Sequence, residues 1–323
     1  MRVLVFGIGV IGAYLTHVLC EAENEVTVLA RDERVDSLKK NGLVIDHHLQ
    51  RKTTIDSVNA VNALGGEHFD AAFVVMPYHK LRNALPTICK FHTDMLVLVG
   101  NDLSPAEFQD YIQKHAPGVR NILFGFQVSG GKKKENRFVC ERFGASYMDI
   151  GLLHGQANDE LMRQVARIFS GTKYKLNWQA DMEGYLICHP AAILPIGYLS
   201  YICGGDLRKS TRTQRRMMFE ASREAYDFLK ASGITIYPKG DDAFYGSGIR
   251  GKLMKFLYFV MAKTSIGDLV ACEHCRNAVT EMEEIDLFYV ELMDGYPKEK
   301  LSVWNELRSK MPSWELLHRR YGN

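Results

Sequence analysis

The chain has 323 residues, enough for two domains, and its 46% hydrophobic and 24% charged content are ordinary for a globular protein. Its net charge of +2 provides no electrostatic footprint for binding nucleic acid or a membrane surface. The seven cysteines are an odd number, and most of them stand inside apolar runs. This pattern argues against a disulfide framework and favours buried free thiols in a reducing cytosol.

The first half of the chain alternates short apolar strands with segments of helical periodicity. The predicted strands are Arg2–Phe6, Glu25–Leu29, Leu43–Ile45, Ala71–Met76, Met95–Val99 and Asn121–Phe126. The predicted helices between them are Ile11–Cys20, Val35–Lys40, Lys80–Phe91 and Pro105–Lys114. Strands that are apolar throughout, such as Ala71–Met76, are typical of a parallel sheet covered on both faces. We therefore predict the α/β fold class, with a doubly wound Rossmann domain at the N-terminus.

The character of the sequence changes after Trp178. Between residues 127 and 176 the alternation weakens, and Gly130-Gly131 followed by Phe138–Cys140 suggests hairpin strands that close the first domain. Farther on, apolar residues recur at helical spacing through Met182–Cys203, Arg215–Lys230, Met254–Val260, Asn277–Met293 and Val303–Lys310. We therefore predict a dinucleotide-binding domain over residues 1–176 and an all-helical C-terminal domain over residues 177–323.

The most apolar stretch, Tyr185–Cys203, is long enough to be weighed as a membrane span. It contains His189, Pro190 and Pro195, and polar chain flanks it closely, so we interpret it as a buried core helix. The chain also begins directly with the predicted strand Arg2–Phe6, without a basic leader and a cleavage site. We therefore expect a cytoplasmic protein with no membrane partner.

The strongest motif is Gly7-Ile8-Gly9-Val10-Ile11-Gly12, which directly follows a predicted strand and opens a predicted helix. In that context a GxGxxG sequence indicates dinucleotide binding. Gly7 permits the tight turn, Gly9 lets the backbone approach the pyrophosphate, and Gly12 lets the helix pack closely on the strand. The first turn of the helix then supplies N–H donors to the phosphates. The alternative is a glycine-rich turn that binds no ligand.

The end of the second strand decides which dinucleotide is bound. An NAD site usually has an acid there, about 20 residues on from the glycines, which accepts hydrogen bonds from the ribose 2′-hydroxyl. This chain has Arg31, whose guanidinium can pair with a 2′-phosphate, so we predict NADP(H) as the cofactor. Asp32 leaves an alternative, because it can cap the next helix or turn toward the ribose. Met76, at the end of its strand, is a further candidate for cofactor binding.

Cys272 and Cys275 form a CxxC pair, but the chain has no second pair that would complete a zinc site. A redox pair would stand at the start of a helix that follows a strand, which is not the predicted context. We therefore interpret the spacing as that of two residues on one helix and expect no metal site. Glu273 and His274, on the same predicted helix, are weaker candidates for a site residue.

Several features together resemble the ketopantoate reductase (2-dehydropantoate 2-reductase) family. They are the glycine motif Gly7–Gly12, Leu29-Ala30-Arg31, Leu38–Leu43, Asn101 after the strand Met95–Val99, and Glu284-Ile285-Asp286 in a late helix. The resemblance spans nearly the whole chain, although only the first half carries specific motifs. It implies NADPH-dependent reduction of a 2-oxo acid in a cleft between the two domains. It also implies that Asn101 lies near the nicotinamide and the substrate.

The second half departs from the family pattern. The family has a lysine on the first helix after the domain boundary and two asparagines at four-residue steps, and these positions fall on Asp181, Tyr185 and His189. The loop that begins at Met76 also lacks the family's lysine, and the family's acidic substrate-binding residue maps best to Glu284. A positioned general acid contributes roughly 10²–10⁴-fold in rate, so we expect little or no activity on ketopantoate itself.

His189 is the candidate for a substitute acid. Opine-type dehydrogenases resemble this chain at His189-Pro190, where their histidine works with a distant carboxylate. Protonated His189 would donate to the carbonyl oxygen while Glu284 or Asp286 orients the ring, because an imidazole titrates near neutral pH. The alternative is a core histidine whose hydrogen bonds are satisfied on an apolar helix.

Asp181, Tyr185 and His189 follow one another at four-residue steps, which puts all three on one face if a single helix covers them. We predict that Asp181 and Tyr185 bind the substrate beside His189. The alternative is that Asp181 only begins the helix.

Three functions remain open from the sequence. The first is an NADP(H)-linked reductase of a small 2-oxo acid or related carbonyl. The second is an opine-type dehydrogenase, which reduces an imine formed between an amino acid and an oxo acid. The third is a non-catalytic NADP-binding sensor. The expected partner is a small-molecule substrate and not a nucleic acid. The apolar late helices leave room for a homodimer, although core packing explains them equally well.

Overall fold

The computed structural model describes residues 1–323 except 117, 120, 128, 143–145, 265–266 and 323, and all their side chains except those of residues 269 and 270. The chain divides into two compact units, Met1–Glu183 and Gly184–Asn323. The predicted fold class is confirmed, since a Rossmann-type sheet with helices is followed by a helical C-terminal region.

The first unit contains the strands and the first helices. The strands are β1 (Arg2–Phe6), β2 (Glu25–Leu29), β3 (Leu43–His47), β4 (Lys52–Asp56), β5 (Asn59–Val61), β6 (His68–Phe69), β7 (Ala71–Val75), β8 (His92–Thr93), β9 (Met95–Val99), β10 (Asn121–Gln127), β11 (Gly130–Lys134), β12 (Arg137–Glu141), β13 (Tyr147–Gly151) and β14 (Lys175–Trp178). The helices are α1 (Val10–Glu21), α2 (Asp32–Asn41), α3 (Tyr78–Ile88), α4 (Pro105–His115) and α5 (Asp159–Ile168). Eight strands form one sheet in the order β14-β13-β10-β9-β7-β1-β2-β5.

The centre of this sheet is the core of the first unit. β7 and β9 are buried along their whole length, as their uninterrupted apolar sequences predict. β1 pairs in parallel with β2 and β7, and β7 pairs in parallel with β9. The carboxyl ends of these four strands therefore meet at one edge of the sheet, which is where open α/β sheets bind their ligands.

One strand predicted from the sequence lies outside the main sheet. The predicted strand Leu43–Ile45 is part of β3, which belongs to a second sheet of order β11-β12-β3-β4. The position next to β2 is taken instead by β5, which pairs with it in parallel. β5 has only three residues, too few for hydrophobic periodicity to reveal it.

After β14 the described elements are helical. They are α6 (Met182–Ile202), α7 (Arg212–Ala231), α8 (Ile249–Lys263), α9 (Glu273–Asn277), α10 (Val279–Leu292), α11 (Ser302–Ser309) and α12 (Trp314–Tyr321), with 3-10 turns at Leu207–Lys209, Asp241–Phe244 and Lys298–Leu301 and a π-helical turn at Asp268–Cys272. Because β14 still pairs with β13, the first unit extends to Glu183 and does not end at residue 176.

α6 contains the apolar stretch that was weighed as a membrane span. Within the described residues it is the one helix that is long and apolar enough to cross a membrane, judged by length and composition. However, 67% of its apolar window is buried inside the protein, as in the core helix of a folded domain. The same test is passed by many core helices, so this single helix is weak support for a membrane span.

Candidate nucleotide-binding and catalytic residues

The glycine motif forms the turn between β1 and α1. Gly7 has a φ of +109°, and a Cβ there would lie 2.1 Å from the carbonyl oxygen of Val75. A Cβ on Gly12 would lie 1.9 Å from the carbonyl oxygen of Gly7. A larger residue at either position would therefore push α1 away from the sheet, so packing alone requires these two glycines.

Gly9 differs from these two glycines. It is the N-cap of α1 in an extended conformation, and no heavy atom lies within 4 Å of the place that its Cβ would occupy. The N–H groups of the following turn have no partner within the helix, and this turn contains no acidic side chain. Open space in front of Gly9 and unpaired N–H groups beside it fit the pyrophosphate of a dinucleotide.

Arg31 follows β2 and is the N-cap of α2. Its side chain is exposed, and its guanidinium makes no hydrogen bond or ion pair within the part of the chain that the structure describes. Asp32 does not cap the helix, because that position is held by Arg31. The Asp32 carboxylate accepts a hydrogen bond from Nδ2 of Asn62 at 2.6 Å, which ties it to the loop after β5.

Arg34 is a further cation at the start of α2 that was missed from the sequence. Its Cζ lies 5.3 Å from the ring centroid of Phe138, and burial lowers the pKa of the guanidinium. Burial, and after it the positive charge of Arg34, also lower the pKa of Lys133 on β11. Arg31 and Arg34 are three residues apart at the positive end of the α2 dipole, so together they favour an anion there. Their spacing is the signal that could have identified Arg34.

Met76 and Asn101 follow β7 and β9 at the same edge of the sheet as the glycine motif. Gly100, between β9 and Asn101, has a φ of +153°, and a Cβ there would lie 2.9 Å from the carbonyl oxygen of Met76. The loops after these two strands are therefore in close contact. Met76 and Asn101 are both half-buried.

Asp102, directly after Asn101, was missed from the sequence. Its side chain is 4% exposed, and its Oδ1 accepts a hydrogen bond from the backbone N–H of Ser104 at 3.0 Å. Its Oδ2 is buried and has no hydrogen-bond partner among the described residues. Burial raises the pKa of this carboxyl to about 7. A carboxyl that is partly protonated at neutral pH can donate a hydrogen bond as well as accept one. Its polar loop sequence gives no sign of burial, so only the tertiary structure reveals it.

In the second unit, the rings of Tyr185 and His189 on α6 lie parallel with their centroids 6.2 Å apart. Tyr185 is buried and His189 is half-buried. The close packing around His189, together with the charge of His274, lowers the pKa of its imidazole to about 4. The ring is therefore neutral at pH 7, and the near-neutral titration predicted from the sequence is wrong for the protein without a ligand.

His274 on α9 was only a weak candidate in the sequence, yet it is electrostatically coupled to His189. Its Nε2 lies 4.0 Å from Oε2 of Glu281, a buried residue of α10. Three helices, α6, α9 and α10, thus contribute two imidazoles and a carboxylate to one cluster. His189 is far from the other two in the sequence, and no motif connects it with them.

Asp286 does not orient His189, which corrects one of the two alternatives for the supporting carboxylate. Asp286 is fully buried, and its carboxylate accepts hydrogen bonds from Tyr198 Oη at 2.5 Å and from Arg308 Nε and Nη2 at 2.7 Å each. Trp314 Nε1 donates a further hydrogen bond at 3.0 Å. These four donors occupy the carboxylate, which holds α10 to α6, α11 and α12.

Asp181 lies outside α6, which begins one residue later. Its backbone forms a β-bridge with His154, and its carboxylate lies 3.8 Å from Nδ1 of that histidine. The predicted polar face of α6 is therefore reduced to Tyr185 and His189, and Asp181 only precedes the helix. Glu284 is half-buried on α10, and its role stays a prediction.

Cys272 ends the π-helical turn, and Cys275 lies in α9. Both thiols are free and buried, and burial raises the pKa of both, that of Cys275 to about 12. A buried, protonated thiol is a poor nucleophile and a poor metal ligand. Within the described residues, no group of three or more His, Cys, Asp or Glu side chains is placed to hold a metal ion.

Comparisons with known proteins agree with the glycine turn. Residues 3–155 match the family described as ketopantoate reductase PanE/ApbA. The uncharacterized oxidoreductase YkpB of Bacillus subtilis is 29% identical over 185 residues, which are 57% of this chain and 59% of that protein. A 2-dehydropantoate 2-reductase of Aquifex aeolicus is 19% identical over 247 residues, 76% of this chain and 77% of that protein. Residues 3–155, a little under half of the chain, are thus similar to the ketopantoate reductase PanE/ApbA family, as the resemblance predicted.

Solved structures share the fold over the whole chain. A PanE/ApbA family ketopantoate reductase from Ralstonia eutropha has a TM-score of 0.69 at 13% identity and covers 100% of both chains. D-mandelate dehydrogenase with NADH and anilino(oxo)acetate has a TM-score of 0.68 at 15% identity, covering 98% of this chain and 100% of that chain. At these identities the likeness establishes the fold and nothing finer.

Proposed function

We propose that the chain is an NADP(H)-dependent oxidoreductase that reduces a small 2-oxo acid or a related carbonyl. The observation that carries the proposal is the glycine turn, where open space before Gly9 meets the unpaired N–H groups of α1. The match of residues 3–155 to the ketopantoate reductase family supports the class of reaction. D-mandelate dehydrogenase, which has the same fold, is a relative seen with NADH and anilino(oxo)acetate.

The cofactor assignment depends on two parts of the first unit. When bound, NADPH supplies the hydride that reduces the carbonyl. The backbone of residues 8–12 would hold its pyrophosphate, and Arg31 would hold its 2′-phosphate, because an exposed guanidinium can pair with phosphate through two hydrogen bonds. Asp32 is held by Asn62, which supports this choice over a carboxylate that binds the ribose of NAD.

The proton needed at the carbonyl oxygen must come from another residue, and we assign this role to His189. The imidazole is neutral in the free protein. A substrate carboxylate beside it would raise its pKa, because a nearby negative charge favours the imidazolium ion. Asn101 and Tyr185 are assigned to substrate contacts and Glu284 to orienting the ring. Asp181 replaces the family's lysine, so ketopantoate itself is disfavoured as the substrate.

A non-catalytic NADP(H)-binding sensor is the second candidate. The low pKa of His189 favours it, because a neutral imidazole cannot act as an acid. The hydrogen bonds that occupy Asp286 favour it as well, since they remove one of the two carboxylates that could assist the histidine.

The test is NADPH oxidation, followed by absorbance, against a panel of small 2-oxo acids with and without added amino acids. Turnover with an oxo acid alone supports the proposal. Turnover only with an added amino acid would indicate an opine-type dehydrogenase, and tight NADPH binding without turnover would indicate the sensor. A protein that binds no NADPH in a fluorescence titration would contradict all three.

A further inference from the structure

Helix α8 presents a large apolar face to solvent. Its exposed apolar side chains are Ile249 at 86%, Leu253 at 57%, Phe256 at 61%, Leu257 at 49%, Phe259 at 48% and Val260 at 40% of their full surface. The buried residues of this helix are small ones, Gly251 and Ala262. On the same side of the helix the ring of Tyr258 packs against that of Phe219, with centroids 5.1 Å apart, so one face holds α8 to its unit while the six large apolar side chains remain outside.

Five of these side chains form one stripe along the helix. Positions 249, 253, 256, 257 and 260 recur at three- and four-residue steps, which puts them on a single face. Gly251 and Ala262 fall on the opposite face. At 1.5 Å per residue the stripe is about 17 Å long, which is long enough to pack against a second helix.

The exposed area is as large as a specific interface requires. At about 180 Å² for each fully exposed side chain, the five fractions of the stripe amount to roughly 530 Å². Soluble monomers rarely expose a contiguous apolar patch larger than this. Two such faces packed together would bury about 1,050 Å², which exceeds the roughly 1,000 Å² expected of a biological protein–protein interface.

The charges of α8 favour a protein partner over a lipid surface. The helix has no acidic residue and four cations, Arg250, Lys252, Lys255 and Lys263. Lys255 Nζ lies 5.8 Å from the ring centroid of Phe219 on α7, and Lys263 Nζ donates to two backbone carbonyl oxygens just before α7. These two lysines are engaged within the unit, whereas a membrane-binding helix directs its lysines to anionic headgroups.

We propose that α8 is the surface by which two copies of this chain pair, with the two helices antiparallel about a two-fold axis. In this arrangement Ile249 of one copy faces Val260 of the other, and Leu253 faces Phe256, so the stripe is complementary to itself. Lys252 of one copy then lies beside Phe259 of the other, so its ammonium group makes a cation–π contact and does not face another cation. The pairing does not depend on the proposed enzymatic activity.

Leu253→Glu tests the pairing at the middle of the stripe. The matched control is Leu287→Glu, the same change at a leucine that is 52% exposed on α10. A two-fold interface contains each residue twice, so Leu253→Glu puts two carboxylates into its centre. By analytical ultracentrifugation we expect a dimer for the wild type and for Leu287→Glu, and association at least roughly 100-fold weaker for Leu253→Glu. Circular dichroism and NADPH titration verify that each variant is folded.

Three results would overturn the proposal. They are a wild type that stays monomeric at high concentration, a Leu253→Glu variant that dimerises like the wild type, and equal loss of the dimer in Leu287→Glu. Flotation with vesicles of phosphatidylcholine, with and without phosphatidylglycerol, tests whether α8 binds a lipid surface instead. Monomeric protein that floats only with the anionic vesicles, and stops floating after Leu253→Glu, would replace self-pairing with lipid binding.

Discussion

The candidate site of the first unit is formed by backbone groups, whereas that of the second unit is formed by side chains. In the first unit the site is backbone, because Gly7 and Gly12 let α1 approach the sheet and Gly9 leaves open space before the helix. In the second unit the site consists of side chains, and the charge state of His189 is determined by its surroundings and by His274. A backbone site is therefore best tested by adding atoms to it, and a side-chain site by removing them.

The largest effect is expected from Gly9→Asp. The added carboxylate would occupy the open space before α1 and repel the pyrophosphate, so NADPH and NADH should both bind at least roughly 100-fold more weakly. No heavy atom stands near the new Cβ, so the melting temperature should change little. Fluorescence titration and thermal unfolding measure the two quantities.

The matched control for this change is Gly118→Asp. Gly118 also has no heavy atom within 4 Å of its would-be Cβ, but it lies in the turn after α4 and outside the glycine motif. The Gly118→Asp variant should bind NADPH and NADH with wild-type affinity. Unchanged NADPH affinity in Gly9→Asp would show that the motif is only a turn.

His189→Asn tests the second unit. If His189 is the acid, turnover on the true substrate should fall roughly 100-fold or more, with NADPH affinity unchanged. The wild-type rate should fall as pH rises, because only the imidazolium ion can donate a proton. His274→Asn should move this fall to higher pH, since the charge of His274 lowers the pKa of His189.

The control for these variants is His115→Asn, which changes an exposed histidine of α4. Its rate and its pH profile should match those of the wild type. A core histidine would behave differently, because His189→Asn would then lower the melting temperature and leave the rate per folded molecule intact. That outcome would remove His189 from the catalytic residues.

Asp102 provides a stability effect of intermediate size. Its pKa of about 7 lies above the ordinary value of 3.8, so the folded state binds this proton more tightly than the unfolded state does. The contribution of protonated Asp102 to the free energy of unfolding is fully present below pH 3.8 and is lost as pH rises through 7. Between pH 5 and pH 8 the wild type should lose about 2–3 kcal/mol of unfolding free energy relative to Asp102→Asn.

Urea unfolding at the two pH values measures this difference. Asp110→Asn is the control, because Asp110 is exposed on α4 and no such burial acts on it. It should follow the wild type at both pH values. If Asp102→Asn also follows the wild type, the carboxyl is not protonated in the folded protein.

The smallest expected effect concerns the choice of cofactor. Arg31 should make NADPH bind at least roughly tenfold more tightly than NADH, and Arg31→Ala should remove most of that preference. Lys39→Ala, in the last turn of α2, should leave it unchanged. Arg34→Ala should reduce it less than Arg31→Ala does, because Arg34 packs on Phe138. Equal affinities for both cofactors in the wild type would contradict the assignment.

Features that depend on neighbouring residues were predictable from the sequence. The glycine turn, the buried strands β7 and β9 and the helical second half follow from local spacing and from runs of apolar residues. The long stretch on α6 was also readable as a helix, and the predicted start of its periodicity at Met182 is confirmed. Asp181 was placed on the helix by four-residue spacing, yet a backbone bridge to His154 holds it before the helix begins.

The amino-acid sequence by itself determined the fold class and the place of the nucleotide site, because glycines and apolar runs act through the local backbone. Only the tertiary structure decided which carboxylates are available. Asp286 is occupied by donors from three other helices, and Asp102 is buried beside Asn101 with a raised pKa. Burial and hydrogen bonding of a side chain depend on residues distant in the sequence, and therefore no local pattern reveals them.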